Sequence, residues 1–188
     1  TTTGLLNQYL LQTTYTDKKL QLTMTYTVFS SYIRIDGILK DTNSPLINRA
    51  FRVNYTLPVS ATGWMWEDDI YSHRSIDTTN TVYENIYSII NHKVSKYPFC
   101  CIHDQTSGLT LAVPMDTPGI QNVYYDKNQG LKFVSNFVVS PETMTLGAGS
   151  SSWSVIIYKI NDPDGGFRSA AKKYYEIFPD YFIKRNQQ

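Results

Sequence analysis

Ser152-Trp153-Ser154-Val155-Ile156-Ile157-Tyr158-Lys159-Ile160 decides the architecture of this chain. β-Branched and aromatic residues dominate it, the composition of a strand that packs on a sheet face. Asn161-Asp162-Pro163-Asp164-Gly165-Gly166 follows and consists entirely of turn formers. Beyond it the period changes. Phe167, Ala170, Ala171, Tyr174 and Phe178 share one helical stripe, Arg168, Lys172 and Lys173 fall largely elsewhere, and Pro179 stops the run. Asp164 or Asp162 is placed to cap the start of this helix, where first-turn N–H groups have no partner within the helix. The apolar stripe must be covered, either by the β-rich body before it or by a helical domain after it.

Upstream of that stretch, period-two alternation prevails. Leu20, Leu22, Met24, Tyr26 and Val28 alternate with Gln21, Thr23, Thr25 and Thr27, which predicts a strand with one wet and one buried face. Ser31–Ile38 reads as a second strand, closed by Gly37 and the polar turn Lys40–Pro45. Phe51, Val53, Tyr55 and Leu57 give a third, ended by Pro58. Val82–Ile90 is rich in β-formers. Phe99–Ile102 and Leu109–Val113 flank a turn at Gln105–Gly108, and Leu131, Phe133, Phe137 and Val139 alternate up to Pro141. Gly147–Ser152 reads as a mobile loop. About eight strands separated by turn signals predict an all-β, antiparallel β-sandwich over residues 1–163, with residues 164–188 as a C-terminal α-helix and linker.

The 188 residues carry 17 basic and 16 acidic side chains, a formal charge of +1. Phosphate-binding proteins normally show a clustered basic excess, so a nucleic-acid partner is not expected. No apolar run approaches the roughly 20 residues that span a bilayer, so membrane insertion is not expected either. Fifteen tyrosines suit half-buried sheet faces and contact surfaces. Cys100 and Cys101 are neighbours, so within a strand they point to opposite faces and are poorly placed to bridge each other. No Cys or His stands near them at ligand spacing, no phosphate-binding glycine loop or zinc-binding helix motif is present, and no metal or cofactor is expected. Asn54-Tyr55-Thr56 matches a glycosylation triplet inside a predicted strand.

The densest polar cluster is Gly63-Trp64-Met65-Trp66-Glu67-Asp68-Asp69-Ile70-Tyr71-Ser72-His73-Arg74, just beyond a strand end. Indole rings lie well against the apolar face of a pyranose, and carboxylates and arginine bond its hydroxyls. Trp64, Trp66, Asp68, Asp69, His73 and Arg74 are therefore the candidate carbohydrate-binding residues. A structural role competes with that reading: the two rings would plug the sandwich end, with Asp68 or Asp69 paired to Arg74 or Arg49. Catalysis is not expected here, because glycosidase carboxyls face each other about 5 to 9 Å apart, which neighbours on one short loop rarely manage. Asp116, held in a stiff turn between Pro114 and Pro118, is expected to cap that turn, with a ligand contact as the alternative, and His103 to be a polar surface residue at a strand end.

Several of these motifs occur together and in order: Asn48-Arg49-Ala50 leading to Leu57-Pro58, then Gly63-Trp64-x-Trp66-x-Asp68-Asp69 with Arg74, then Tyr97-Pro98-Phe99. Gly108-Leu109-x-Leu111-Ala112-Val113-Pro114-x-Asp116-x-Pro118 follows, and Gly166-Phe167-Arg168-Ser169-Ala170 through Tyr174-Tyr175-x-x-Phe178-Pro179 closes the series. The series, over about residues 20 to 185, resembles the galactose-mutarotase-like β-supersandwich of large glycoside-hydrolase-like proteins, where it precedes an (α/α) toroid. The resemblance implies a non-catalytic, carbohydrate-associated module that is secreted, meets a carbohydrate or glycan, and packs against a helical domain or another protein subunit holding the catalytic acids. Mutarotases converge two histidines and a glutamate on the sugar, a set that His73, His92 and His103 do not visibly reproduce in the sequence. The alternative is a structural protein assembling through Tyr-rich sheet surfaces and the terminal helix.

Overall fold

The computed structural model describes residues 4–89, 92–142 and 147–183. Its strands are β1 (Leu5–Tyr15), β2 (Leu20–Phe29), β3 (Ile33–Asp41), β4 (Arg49–Leu57), β5 (Met65–Glu67), β6 (Arg74–Ser75) and β7 (Val82–Tyr83), followed by β8 (Ile86–Ile89), β9 (His92–Ser95), β10 (Phe99–His103), β11 (Gly108–Ala112), β12 (Gln121–Asp126), β13 (Gly130–Val139) and β14 (Ser150–Lys159). One α-helix, α1 (Gly166–Ile177), comes last. An eight-stranded sheet runs β1-β2-β3-β14-β11-β10-β5-β6, a four-stranded sheet runs β4-β13-β12-β7, and β8-β9 is a separate hairpin. This is the all-β sandwich with a terminal helix that the alternation predicts.

The stretch that decided the reading is β14, in the middle of the large sheet. It pairs with β3 from Ser150↔Lys40 to Ile157↔Ile33, and with β11 from Leu109↔Lys159 to Ala112↔Ile156. Its residues feed two cores. Trp153 and Val155 face the small sheet, with Ile35, Trp66 and Leu111 beside them and Tyr125, Leu131 and Phe133 opposite. Ile156 and Tyr158 point to the other side, where α1 lays down Phe167, Ala170, Tyr174 and Ile177. Burying one such large side chain is worth about 1.5–3 kcal/mol, so the stripe accounts for the helix staying on the sheet. Two hydroxyls fix its position: Tyr174 donates to the Val113 carbonyl at 2.6 Å, and Tyr158 donates to the Ala170 carbonyl at 2.9 Å. Cys100 and Cys101 are free, buried, and split between the two cores as strand geometry requires.

Some local expectations are corrected. Gly37 does not close its strand. β3 runs on to Asp41, and Gly37 is glycine because the Trp153 ring lies on it: a Cβ there would stand 2.1 Å from Trp153 Cε2. Val82–Ile90 is two short strands in different sheets, with Ile90 outside the described residues. Ser150–Ser152 belongs to β14 rather than to a loop. β1, β5 and β12 are strands that the periodicity did not reveal.

Candidate functional site

After Pro58 the chain crosses from the small sheet to the large one. The Ala61 N–H donates to the Tyr125 hydroxyl at 2.9 Å, and Gly63 and Ile76 close the loop through backbone bonds of 2.8 Å. What read as one polar loop is a small hairpin: β5 pairs with β6 through Met65↔Ser75 and Trp66↔Arg74, and with β10 through Cys101↔Glu67 and His103↔Met65. Alternation along β5 then decides each side chain's fate. Trp66 turns inward and is fully buried in the core between the sheets, and Trp64 is half-buried against the same core. Trp66 has no surface to offer a sugar ring.

Glu67 turns the other way, beneath the start of α1, and it is buried. Its Oε2 accepts the Phe167 N–H at 2.5 Å. Its Oε1 is paired with His73 Nδ1 and, at 3.2 Å, with His103 Nε2. Burial pushes the Glu67 carboxyl up, but the Phe167 N–H and the two imidazoles outweigh it and hold the group below the usual carboxylate range. A helix N-terminus also favours an anion. Glu67 is thus the cap of α1, delivered from a hundred residues away, and neither Asp162 nor Asp164 makes a side-chain cap bond. His103 is correspondingly not a surface residue: it is buried and faces Glu67. Two histidines and a glutamate do converge, which the sequence did not show. Both carboxylate oxygens, however, are already engaged inside the protein. The His92 side chain lies outside the described residues.

The other candidates separate. Asp68 is buried, its Oδ2 has no hydrogen-bond partner, and Arg74 Nη2 stands 3.5 Å from Oδ1 while also donating to the Glu84 carbonyl at 3.0 Å. Burial pushes the Asp68 carboxyl up to about 6, with Arg74 offsetting only part of that. Asp69 is spent in a turn, where its Oδ1 accepts the Tyr71 N–H at 2.9 Å. His73 is exposed apart from its contact with Glu67. Arg49 pairs with Asp41 at 3.2 Å, not with this loop, and Asp116 ties its Pro-bounded turn to β3 through Arg34 at 2.6 Å.

Because the folded state raises the Asp68 carboxyl, it binds a proton that the unfolded chain has released between about pH 4 and 6. That contribution is fully present below the ordinary value of 3.8 and is lost as pH rises through about 6, so an ionised Asp68 is a cost at neutral pH. Asp68→Asn is expected to raise stability at pH 7 by about 1–2 kcal/mol and to flatten the profile between pH 4 and 6. Urea unfolding at pH 4, 5 and 7 measures both.

Two of the clefts among the described residues bear on ligand binding. One, of about 530 Å³, borders this hairpin and is lined by Met65, His103, Asp104, Gln105, Thr106 and Asp164. Its floor is firm, since Asp104 Oδ1 accepts the Thr106 and Ser107 N–H groups at 2.7 Å each. The other, of about 450 Å³, covers the outer face of the small sheet and includes Arg52, Asn54, Glu84, Lys93, Tyr124 and Asn136. Asn54 of the glycosylation triplet is exposed there.

No protein-family model matches the chain, and no curated protein does. Among solved structures it is similar to a variant of the GH36 alpha-galactosidase AgaA from Geobacillus stearothermophilus, determined in complex with 1-deoxygalactonojirimycin. The TM-score is 0.56 at 10% identity, over 91% of this chain and 26% of that one. The likeness is one of fold: a β-sandwich shared with part of that chain. Weaker likenesses join this sandwich to the Slr1438 protein of Synechocystis sp. PCC 6803 (TM-score 0.43, 9% identity, 83% of this chain and 65% of that one) and to a galactose mutarotase related enzyme of Lactobacillus acidophilus (0.31, 8%, 86% and 72%). The sandwich spans about a quarter of the alpha-galactosidase chain that it matches.

Proposed function

We propose that this chain is a carbohydrate-associated β-sandwich module of a larger glycoside-hydrolase-like protein and that it does not itself break glycosidic bonds. The observation that carries the reading is the position of the hairpin's carboxyls. Glu67 is committed to the helix and two imidazoles, Asp68 is sealed in the interior, and Asp69 holds a turn. None faces a partner across open space as bond cleavage needs. Residues 164–188, on this reading, form the helix and linker toward a neighbouring domain that supplies the catalytic acids.

The saccharide meets the cleft beside His103, where the imidazole, the free carboxylate oxygen of Asp104, the Gln105 amide and Asp164 offer donors and acceptors to hydroxyls. Glu67 fixes the His103 ring, so the cleft is presented without reorganisation. Trp66, on the core side of β5, backs this wall. Secretion accords with such a role. Galactose calorimetry and a glycan array are expected to show binding that falls at least tenfold in the Gln105→Ala, Asp164→Ala double variant and stays unchanged in Asn54→Ala. Absence of binding, or loss confined to Asn54→Ala, would refute this placement.

A further inference from the structure

β1 is the outermost strand of the large sheet, and its composition is unusual for an exposed edge. Leu5-Leu6-Asn7-Gln8-Tyr9-Leu10-Leu11-Gln12-Thr13-Thr14-Tyr15 contains no charge, no proline and no glycine, and its one register irregularity lies at its start, between Leu5 and Asn7. Edges that must stay single normally carry lysine, proline or a central bulge, because half of their backbone N–H and C=O groups face outward ready to pair. β1 has none of these defences. Leu5, Leu6, Tyr9, Leu10 and Leu11 are each more than half exposed.

The inner face of β1 is also left open by the sandwich. One row of the large sheet runs Tyr9, Tyr26, Ile35, Val155, and the next runs Leu11, Met24, Gly37, Trp153. Along the first row exposure rises from 0% at Ile35 to 58% at Tyr9. Eight strands face four, so the small sheet covers the middle of the large one and stops short of β1. An apolar floor therefore continues past the end of its own cover.

The geometry points to a second copy of this chain as the occupant, paired antiparallel along β1 about a two-fold axis through Leu10. The sequence is self-complementary in that register. Tyr9 meets the partner's Leu11 on the inner face and Leu10 meets its own copy on the outer face, so the centre of the strand pairs apolar with apolar, while the irregularity between Leu5 and Asn7 leaves the start of β1 out of this register. Gln8 meets the partner's Gln12 and Asn7 meets the partner's Thr13, so each of these amides finds a polar neighbour. Two-fold pairing preserves which face each residue occupies, and with no charge on either strand no like-charge contact opposes it. The two large sheets join into one, and the uncovered rows at Tyr9 and Leu11 become neighbours across the axis. This pairing is independent of the carbohydrate reading.

Light scattering and sedimentation of the chain at 1–100 μM (about the range that resolves a micromolar dimer) are expected to show a dimer. Leu10→Lys places two ammonium groups on the axis and is expected to weaken dimerisation at least tenfold, with the far-ultraviolet spectrum unchanged. The register has its own check: Gln8→Lys with Gln12→Lys abolishes pairing, whereas Gln8→Lys with Gln12→Glu retains it. Leu10→Cys is expected to form an intersubunit disulfide, since opposed strand residues lie roughly 4.5–5.5 Å apart and the native thiols are buried. A monomer throughout that range, a dimer indifferent to Leu10→Lys, or equal behaviour of the two Gln8/Gln12 pairs would each overturn the proposal.

Discussion

Glu67→Ala is expected to lower stability at pH 7 by about 3–4 kcal/mol, the size seen when one partner of a buried charged network is removed and the others stay behind. The change strips the Phe167 N–H of its acceptor, leaves His103 buried without its carboxylate, and opens a void beneath the first turn of α1. Loss of an ordinary exposed cap costs about 1 kcal/mol, so a result near that figure would mean that the imidazoles contribute nothing. Glu67→Gln keeps the volume and removes the charge, and it isolates the electrostatic part. Because the folded state lowers the Glu67 carboxyl, its contribution is present above the ordinary value of 4.5 and is lost as pH falls through the lowered one. The wild-type advantage over Glu67→Gln should therefore be full at pH 7 and fade as pH falls below 4.5 toward the lowered value. This window lies below the one set by Asp68, so urea midpoints measured across pH separate the two carboxyls despite their adjacency in sequence.

Gly166→Ala is expected to cost about 2–4 kcal/mol, from a left-handed backbone penalty of about 1–2 kcal/mol plus displacement of the cap. Gly166 has φ +50°, and a Cβ on it would stand 2.0 Å from Glu67 Oε2. The Glu67 carboxylate would have to shift to relieve that contact, and the oxygen that must move is the one that accepts the Phe167 N–H. The two substitutions should be coupled: once Glu67 is alanine the clash is gone, and the double variant should lose clearly less than the sum of the singles. A glycine that merely terminates a turn would give additive losses instead. Thermal or urea unfolding of the four proteins completes the cycle.

The fold was legible where a single strand or helix carries its own period. β2, β4, β13 and β14 alternate in plain view, and the stripe from Phe167 to Phe178 announced both the helix and its need for cover. β1 escaped notice because its leucines come in doublets, which mask a period of two, and because no buried face imposes one. The site was legible only as a location. The polar cluster beginning at Gly63 was found, but which of its side chains matter follows from pairing with β10, and Glu67 meets His103 only through that register. Local rules assigned the helix cap to Asp162 or Asp164, and a remote carboxylate holds that position instead. Nothing in the neighbourhood of residue 67 or residue 167 signals the other. His103 was misread for the same reason, since its partner lies 36 residues upstream.

The central position of β14 has a consequence for synthesis. While residues 1–149 emerge from a ribosome, β1-β2-β3 can form one patch and β11-β10-β5-β6 another, but the strand that joins them has not yet been made. Each patch waits with a bare flank, β3 on one side and β11 on the other, until the keystone arrives and α1 seals the result directly behind it. The large sheet is therefore completed only by one of the last segments to be made, and the pairing groups of both flanks wait for it.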